Sequence, residues 1–414
     1  MSAAGVHRQT AATLALLGAL AAVALAIAFY RATDWTAPFP RDATGLAIGR
    51  DFFNFWMAGH AAHAPDPGRY YDLEAYNRAL ADVIGHGYPP QTWSYPPSQL
   101  LIAAPFGGLG YRLALLIWTM AGAAAAYFSL RRIDRRMAAF VFAAPAATFA
   151  VMSGQSSLIA TALLLGGLAM LERRPLAAGL LFGLISLKPQ LALLLPVALI
   201  AGRHWRCLAG AAATTLIVIA ATTALYGLEV WRDYFALGLP AQNAVLANTA
   251  ILATESMPTV FMNLHRAGLG YAAAMTMQMV AAGAAAAAVF WGWRRPGEAT
   301  VKYALLLAGS VTATPYLMAY DTLPLAAAGL WLLAREVPDA RGRSSVSGSV
   351  LPISVAATHP TEFQVVFFHW VDSKQRVYSR ICASASRNSC EFRYIQLAAG
   401  RLVAEFARIP RPAQ

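Results

Sequence analysis

Asp51 is one carboxylate among four aromatic side chains in "DFFNFWMAGHAA" (51–62), within a sequence that is mostly apolar. A carboxylate so placed can serve as a base, because rings that exclude water raise its basicity. Lys188 is one of three lysines, with Lys302 and Lys374, and it lies inside a long apolar run. An ammonium there can hold an anion such as a phosphate. The residues that could line a shared recess are Trp56, Tyr95, Gln155, Gln190 and Asp321. Several of these have a plainer reading too. Asp51 suits a helix N-cap, and Lys188 suits a snorkelling side chain at a helix end. Gln155, in a turn between apolar runs, hydrogen-bonds a sugar or merely a backbone group. Tyr95 opens Tyr-Pro-Pro (95–97), which shapes the approach to an apolar segment because proline needs no amide partner. Asp321 caps a helix or meets a substrate. Glu255 is a second acid or a solvated loop residue. His60 and His63 have helical i, i+3 spacing without a third ligand nearby, which reads as interfacial rather than metal-binding.

The elements that position these residues must be membrane helices. The chain has 414 residues, is 58% hydrophobic and only 13% charged, and apolar runs near bilayer length recur along it. A span takes about 20 such residues, so no soluble globular fold fits. The net charge of +12 belongs to cytoplasmic loops and not to a nucleic-acid surface. The expected fold class is an all-α polytopic membrane protein of about ten segments: 10–29, 110–130, 137–152, 156–171, 176–187, 190–202, 207–226, 269–293, 299–314 and 320–335. With these, the clusters at Arg131/Arg132/Arg135/Arg136, Arg173/Arg174, Arg203/Arg206, Arg294/Arg295 and Arg335/Arg341/Arg343 all fall on one side, the cytoplasm. The first segment reads as an uncleaved span.

"LAAGLLFGLISLKPQLALLLPVALIA" (176–201) would break that parity as one span, and would put Lys188 mid-bilayer at a cost of ~2.5–3.5 kcal/mol or more. As a hairpin turning at Lys188-Pro189 it keeps the parity. Each arm then rises only about 18 Å against an apolar thickness of roughly 30 Å, which requires packing within protein or along a cavity. Connectors 31–97 and 227–268 lie outside. In the first, a helix from Asp51 to His63 places Asp51, Phe55, Gly59 and His63 on one face, with aromatics suited to the membrane interface. The membrane domain spans 1–335. The polar tail 336–414, with its strand-like "FQVVFFHW", is a cytoplasmic appendage without assigned function. Cys207, Cys382 and Cys390 give neither a disulfide framework nor a zinc pattern. The preference for Arg over Lys and the abundance of Ala point to a GC-rich bacterial genome.

One base and one cation define a limited chemistry. Cleaving a glycosidic bond with water usually takes two carboxyl groups, because a sugar alkoxide is a poor leaving group. A lipid phosphate leaves far more readily. Sugar transfer from a phospho-lipid needs only a base for the acceptor hydroxyl and cations or dipoles for the departing phosphate. Six stretches in order carry a resemblance: "DFFNFWMAGHAA" (51–62), "YYDLEAYNRAL" (70–80), "WSYPPSQLLIAAPFG" (93–107), "GQSSLIATALLLGGLAMLERRPLAAGLLFGLISLKPQLALLLPVALIAGRHWR" (154–206), "MPTVFMNLHRAGL" (257–269) and "TPYLMAYDTLPL" (314–325). Through them the chain resembles glycosyltransferase family 87, the polyprenyl-phosphate-sugar-dependent membrane transferases of the GT-C class, over about residues 10 to 335. Its most specific part surrounds Gly154-Gln155 and Lys188-Pro189-Gln190.

The resemblance implies a GT-C-like helical bundle with a catalytic recess on the outer face and an acidic residue of the first external loop, here Asp51, as base. It implies a polyprenyl-phosphate donor, often of mannose, an inverting reaction, and neither metal nor any cofactor beyond the lipid-linked donor. The implied partners are membrane lipids and a glycolipid or glycan acceptor, without nucleic acid. The implied setting is a bacterial inner (plasma) membrane, multi-pass, with both termini cytoplasmic. The rival reading is a glycolipid or polyprenyl-linked sugar transporter or flippase, which would use the recess and the lysine but no base. Such transporters more often pair broken helices in repeated halves, and only 176–202 reads as broken. A truncated, inactive relative whose tail replaced further hydrophobic segments is a third reading.

Overall fold

The computed structural model describes residues 33–42, 45–133, 140–249 and 256–336, with residue 138 and six positions between 20 and 31. The tail 336–414 (beyond its first residue), Glu255 and most of the first expected span lie outside the described residues, as do Arg135 and Arg136. Everything regular among the described residues is helical; two antiparallel bridges, Asp34 with Arg41 and Arg41 with Ala47, belong to no strand.

The loop region supplies α1 (Arg50–Ala61), α2 (Leu73–Ile84) and α3 (Gln99–Gly107). Next come α4 (Tyr111–Ile133), α5 (Pro145–Ser153), α6 (Ser157–Met170), α7 (Pro175–Leu184) and α8 (Leu195–Ala201). After α9 (Trp205–Tyr226), the second connector holds α10 (Glu229–Asp233), a π turn over Tyr234–Gly238, α11 (Leu239–Ala247) and α12 (Val260–Arg266). The described part closes with α13 (Tyr271–Arg294), α14 (Ala299–Ala313) and α15 (Leu323–Glu336).

Among the described residues, only α4, α9 and α13 are long and apolar enough to cross a membrane by themselves. The other expected spans are shorter or broken, and proline is the recurring cause. Pro145 starts α5 and separates it from the short turn Phe140–Ala143 within expected span 137–152. Pro175 starts α7 at a position where its missing amide costs nothing. Pro189 breaks the run after it: the residue before a proline is pushed out of the helical region, and Lys188 has φ −139° and ψ 68°. Short 3-10 turns, Ile185–Leu187 and Pro189–Ala192, flank that break.

The chain reverses there. Gly179 lies against Cys207 and Gly183 against Thr214, so α7 and α9 run side by side in one direction. Since α8 leads directly into the start of α9, it must run back opposite in direction to α7, and it packs against α13, α9 and α14. The loops at the far end of this hairpin gather together. His204 lies 3.9 Å from Glu172 and edge-on to Trp293, and Trp293 Nε1 donates to the Lys302 carbonyl at 2.9 Å. Arg173, Arg174, Arg203, Arg294 and Arg295 stand beside these residues in the chain. The basic clusters of these loops therefore share one end of the bundle, and the Lys188 turn lies at the other.

The described residues bury two main apolar cores. One joins α6–α8 with α14 and α15; the other is aromatic and centres on α1. This corrects the expectation for α1. Its rings do not face the membrane interface: Phe52, Phe53, Phe55 and Trp56 are buried against Phe106, Tyr111 and Trp118. At the other end of α1, Gly59 meets Gly107 of α3 so closely that a Cβ on Gly59 would lie 2.7 Å from the Gly107 amide nitrogen.

Candidate active site

Two left-handed glycines set Asp51. Gly49 (φ 71°) is the N-cap of α1, so Asp51 occupies the second helical position and makes no side-chain cap. The N-cap reading of Asp51 is thereby corrected, because the left-handed turn that starts α1 falls two residues earlier. Gly154 (φ 65°) ends α5, and a Cβ there would fall 2.5 Å from the Phe52 Cβ. The Gly49 amide donates to the Met152 carbonyl at 3.0 Å, and the Trp118 indole donates to the Gly154 carbonyl at 2.9 Å. The start of α1 is thus clamped to the turn between α5 and α6, which carries Gln155. The Tyr76 hydroxyl, buried in α2, donates to Asn54 and fixes the next turn of α1.

Gln155 is buried and makes the centre of a polar cluster. Its amide nitrogen donates to the hydroxyls of Tyr95 and Tyr320, each at 2.9 Å, and its Oε1 accepts from Lys188 Nζ at 3.3 Å. Lys188 also donates to Ser157 Oγ at 3.0 Å and pairs with Asp321 Oδ1 at 2.5 Å. Ser157 in turn donates to the same Asp321 oxygen at 2.5 Å. The lysine and Asp321 are 4% and 1% exposed, so the pair is shielded from bulk solvent. The ammonium also stands 5.2 Å from the centre of the Tyr320 ring. The Gln99 amide donates to the Leu187 carbonyl at 2.6 Å and ties α3 to the turn that presents Lys188. The Tyr71 hydroxyl donates to the Tyr95 carbonyl at 2.7 Å, and Trp93 stacks near the Tyr95 ring at 4.9 Å.

Asp51 keeps some exposed surface, yet its carboxyl is enclosed by protein. Burial raises the carboxyl above its ordinary value, against the pull of Arg50, the Gln155 amide and Lys188; the charge of Asp321 adds to the rise. Burial likewise pushes the Tyr95 phenol well up, with Asp51 the next cause, so Tyr95 is a neutral hydrogen-bonding group. The arrangement offers a carboxylate with raised proton affinity, a buried cation, and amide and phenol groups between them.

Asp51, Tyr95, Gln155, Lys188 and Asp321 are therefore brought together. Trp56 and Gln190 are not part of the cluster. The Trp56 indole is buried in the aromatic core and donates to the Leu109 carbonyl at 2.9 Å. Gln190 is half-buried on the far side of Pro189 and makes no side-chain hydrogen bond among the described residues. Asp321 does not cap α15; it sits in the 3-10 turn Ala319–Thr322 before that helix and is committed to Lys188 and Ser157. His60 and His63 each face a backbone carbonyl, that of Trp56 at 3.0 Å and of Ala104 at 2.9 Å. Sequence reasoning missed Ser157 and Tyr320. The signal for Ser157 was its place two residues after Gln155 at the start of an apolar helix; Tyr320 adjoined a residue already singled out.

Short and long apolar helices converging on a buried, mutually bonded set of charged and polar side chains define a polytopic membrane protein with a built polar site. A family model, glycosyltransferase family 87, matches residues 93–320, and the chain belongs to that family. It is accordingly a membrane glycosyltransferase. No curated protein and no solved structure matches the chain.

Proposed function

We propose that this glycosyltransferase moves a hexose, mannose favoured, from a polyprenyl-phosphate donor to a hydroxyl of a glycolipid or glycan acceptor. The setting is the outer face of a bacterial inner membrane. Asp51 takes the proton of the acceptor hydroxyl, whose oxygen attacks the anomeric carbon. The bond from that carbon to the phosphate oxygen breaks, and polyprenyl phosphate leaves with the electron pair, held by Lys188. A single displacement of this kind inverts the anomeric centre. No metal is called for, because a protein cation meets the developing phosphate charge.

The observation that carries this reading is the position of Asp51 in a family 87 chain. Its carboxyl is enclosed, its proton affinity is raised, and the Gln155 amide and the Lys188 charge, themselves bonded to each other, lie close enough to act on it. A carboxylate used only for capping or for an exposed ion pair would show none of these. A base with raised affinity is also better matched to a hydroxyl proton near neutral pH. A carrier that moves its cargo without coupling to protons would need no base beside the anion site.

The test uses purified protein in lipid with polyprenyl phosphates bearing different labelled sugars and a host membrane extract as acceptor. Label passing to a new acceptor in wild type and lost in Asp51→Asn is the expected result. Full-rate transfer by a folded Asp51→Asn protein would remove the base assignment, and saturable donor binding without transfer would favour a carrier.

A further inference from the structure

A lysine has three N–H bonds to donate and accepts none. All three of Lys188 are taken: by Asp321 Oδ1 at 2.5 Å, Ser157 Oγ at 3.0 Å and Gln155 Oε1 at 3.3 Å. An anion reaching Lys188 therefore cannot add a partner and must displace one. Charge-assisted contacts to oxygen are usually about 2.7–2.9 Å, so Gln155 is the weakest holder and Asp321 the strongest. Asp321 resembles the expected visitor. Its carboxylate is an anion presenting oxygen acceptors, as a lipid phosphate does. The Ser157 hydroxyl, which donates to Asp321 while accepting from Lys188, locks that carboxylate in the place where the ammonium can be met.

Resting on the transferase reading above, we infer that Asp321 is a built-in competitor for the donor phosphate at Lys188. It holds the ammonium before the donor binds and yields part of it when the donor phosphate arrives. It reclaims the ammonium as the polyprenyl phosphate leaves. No bond to Asp321 forms or breaks, so it is a positioning residue. The competition weakens donor binding and speeds product departure. A phosphate that has lost its sugar carries more negative charge than the donor, and would otherwise hold to a buried lysine most strongly of all.

The experiment compares wild type and Asp321→Asn, each as the full chain in lipid nanodiscs, in binding of a polyprenyl monophosphate and of the uncharged polyprenol. Asparagine keeps an acceptor oxygen for Ser157 and Lys188 but removes the competing charge. The monophosphate should bind about tenfold more tightly or better, the size expected for one competing charge-assisted bond, with polyprenol binding unchanged. Steady-state turnover should fall while the single-turnover rate does not. Unchanged or weaker monophosphate binding by the folded variant would overturn the inference and leave the transferase reading standing. Wild type that binds monophosphate no better than polyprenol would overturn the inference together with the assignment of a phosphate-bearing lipid to Lys188.

Because a buried lysine without its counter-ion destabilises a fold, a second variant, Lys188→Met with Asp321→Leu, removes both charges together. It should fold and lose the preference for monophosphate over polyprenol. If it kept the wild-type preference, the anion would not be bound at Lys188, and Asp321 could not compete for it.

Discussion

Burial lifts the Asp51 carboxyl above its ordinary 3.8, and this has two consequences of opposite sense. Only the ionised form accepts a proton, so transfer should fall as pH drops through the raised value. The acid limb of the rate profile then lies above 3.8. Replacement by asparagine should cost about 100- to 10,000-fold, the usual worth of a general base, and erase that limb. Stability runs the other way. A carboxyl that binds its proton more tightly when folded stabilises the protein below 3.8 and loses that contribution as pH rises through the folded value. Thermal unfolding of wild type across that window should show the decline, and Asp51→Asn should lack it. Asp51, Gln155, Lys188 and Asp321 were legible in the sequence because a charge or amide inside apolar surroundings needs a partner, and Tyr95 stood out by its place in Tyr-Pro-Pro. Trp56 and Gln190 misled for the converse reason. An indole packs as readily in an aromatic core as in a recess, and Gln190, just past the break at Pro189, makes no side-chain hydrogen bond to the cluster.

At the scale of elements, the site depends on the contact between the start of α1 and the α5–α6 turn. Gly154 combines a left-handed backbone with an approach to Phe52 that leaves no room for a Cβ. Gly154→Ala should therefore destabilise by about 1–3 kcal/mol and lower transfer beyond the loss of folded protein, since it moves Asp51 away from Gln155. Activity per folded molecule, normalised by a size-exclusion profile, separates the two effects. The hairpin at Lys188-Pro189 was readable because charge parity and proline chemistry agreed. Helix lengths were less so. Hydropathy marks that a stretch is apolar but not where proline interrupts it, so expected span 137–152 appears as a short turn followed by α5. The face of α1 was misjudged because its four aromatics crowd into the first two turns, where they read as interface residues, and Gly59 lets α3 close over the side expected to meet the interface.

Over the whole molecule, the described basic loops and the polar cluster stand at opposite ends of the α7–α8 hairpin. The positive end should face the cytoplasm. With the native cysteines changed to serine, single cysteines placed at Arg174 and Arg295 should react with an impermeant thiol reagent in inverted vesicles only. One at Asp66 should react in right-side-out vesicles only. The reverse pattern would put the Asp51 side of the molecule within reach of cytoplasmic substrates and would rule out the outer-face reading. The class of fold followed from composition alone. The second connector was legible only as a stretch between spans, and its helices α10–α12 with the π turn were not, because none of them makes an apolar run of span length.

Ser157 and Asp321 touch although 164 residues separate them. At the pace of protein synthesis, about 5–20 residues per second, Ser157 and then Lys188 leave the ribosome roughly several to tens of seconds before their carboxylate partner exists. During that interval the lysine is a bare charge in a nascent membrane protein. A turn of the hairpin is the one place in that apolar run where such a charge can wait in contact with water. The ion pair is thus a late stitch of biogenesis: a chain stopped short of Asp321 has made its cation and its base but no counter-charge for that cation.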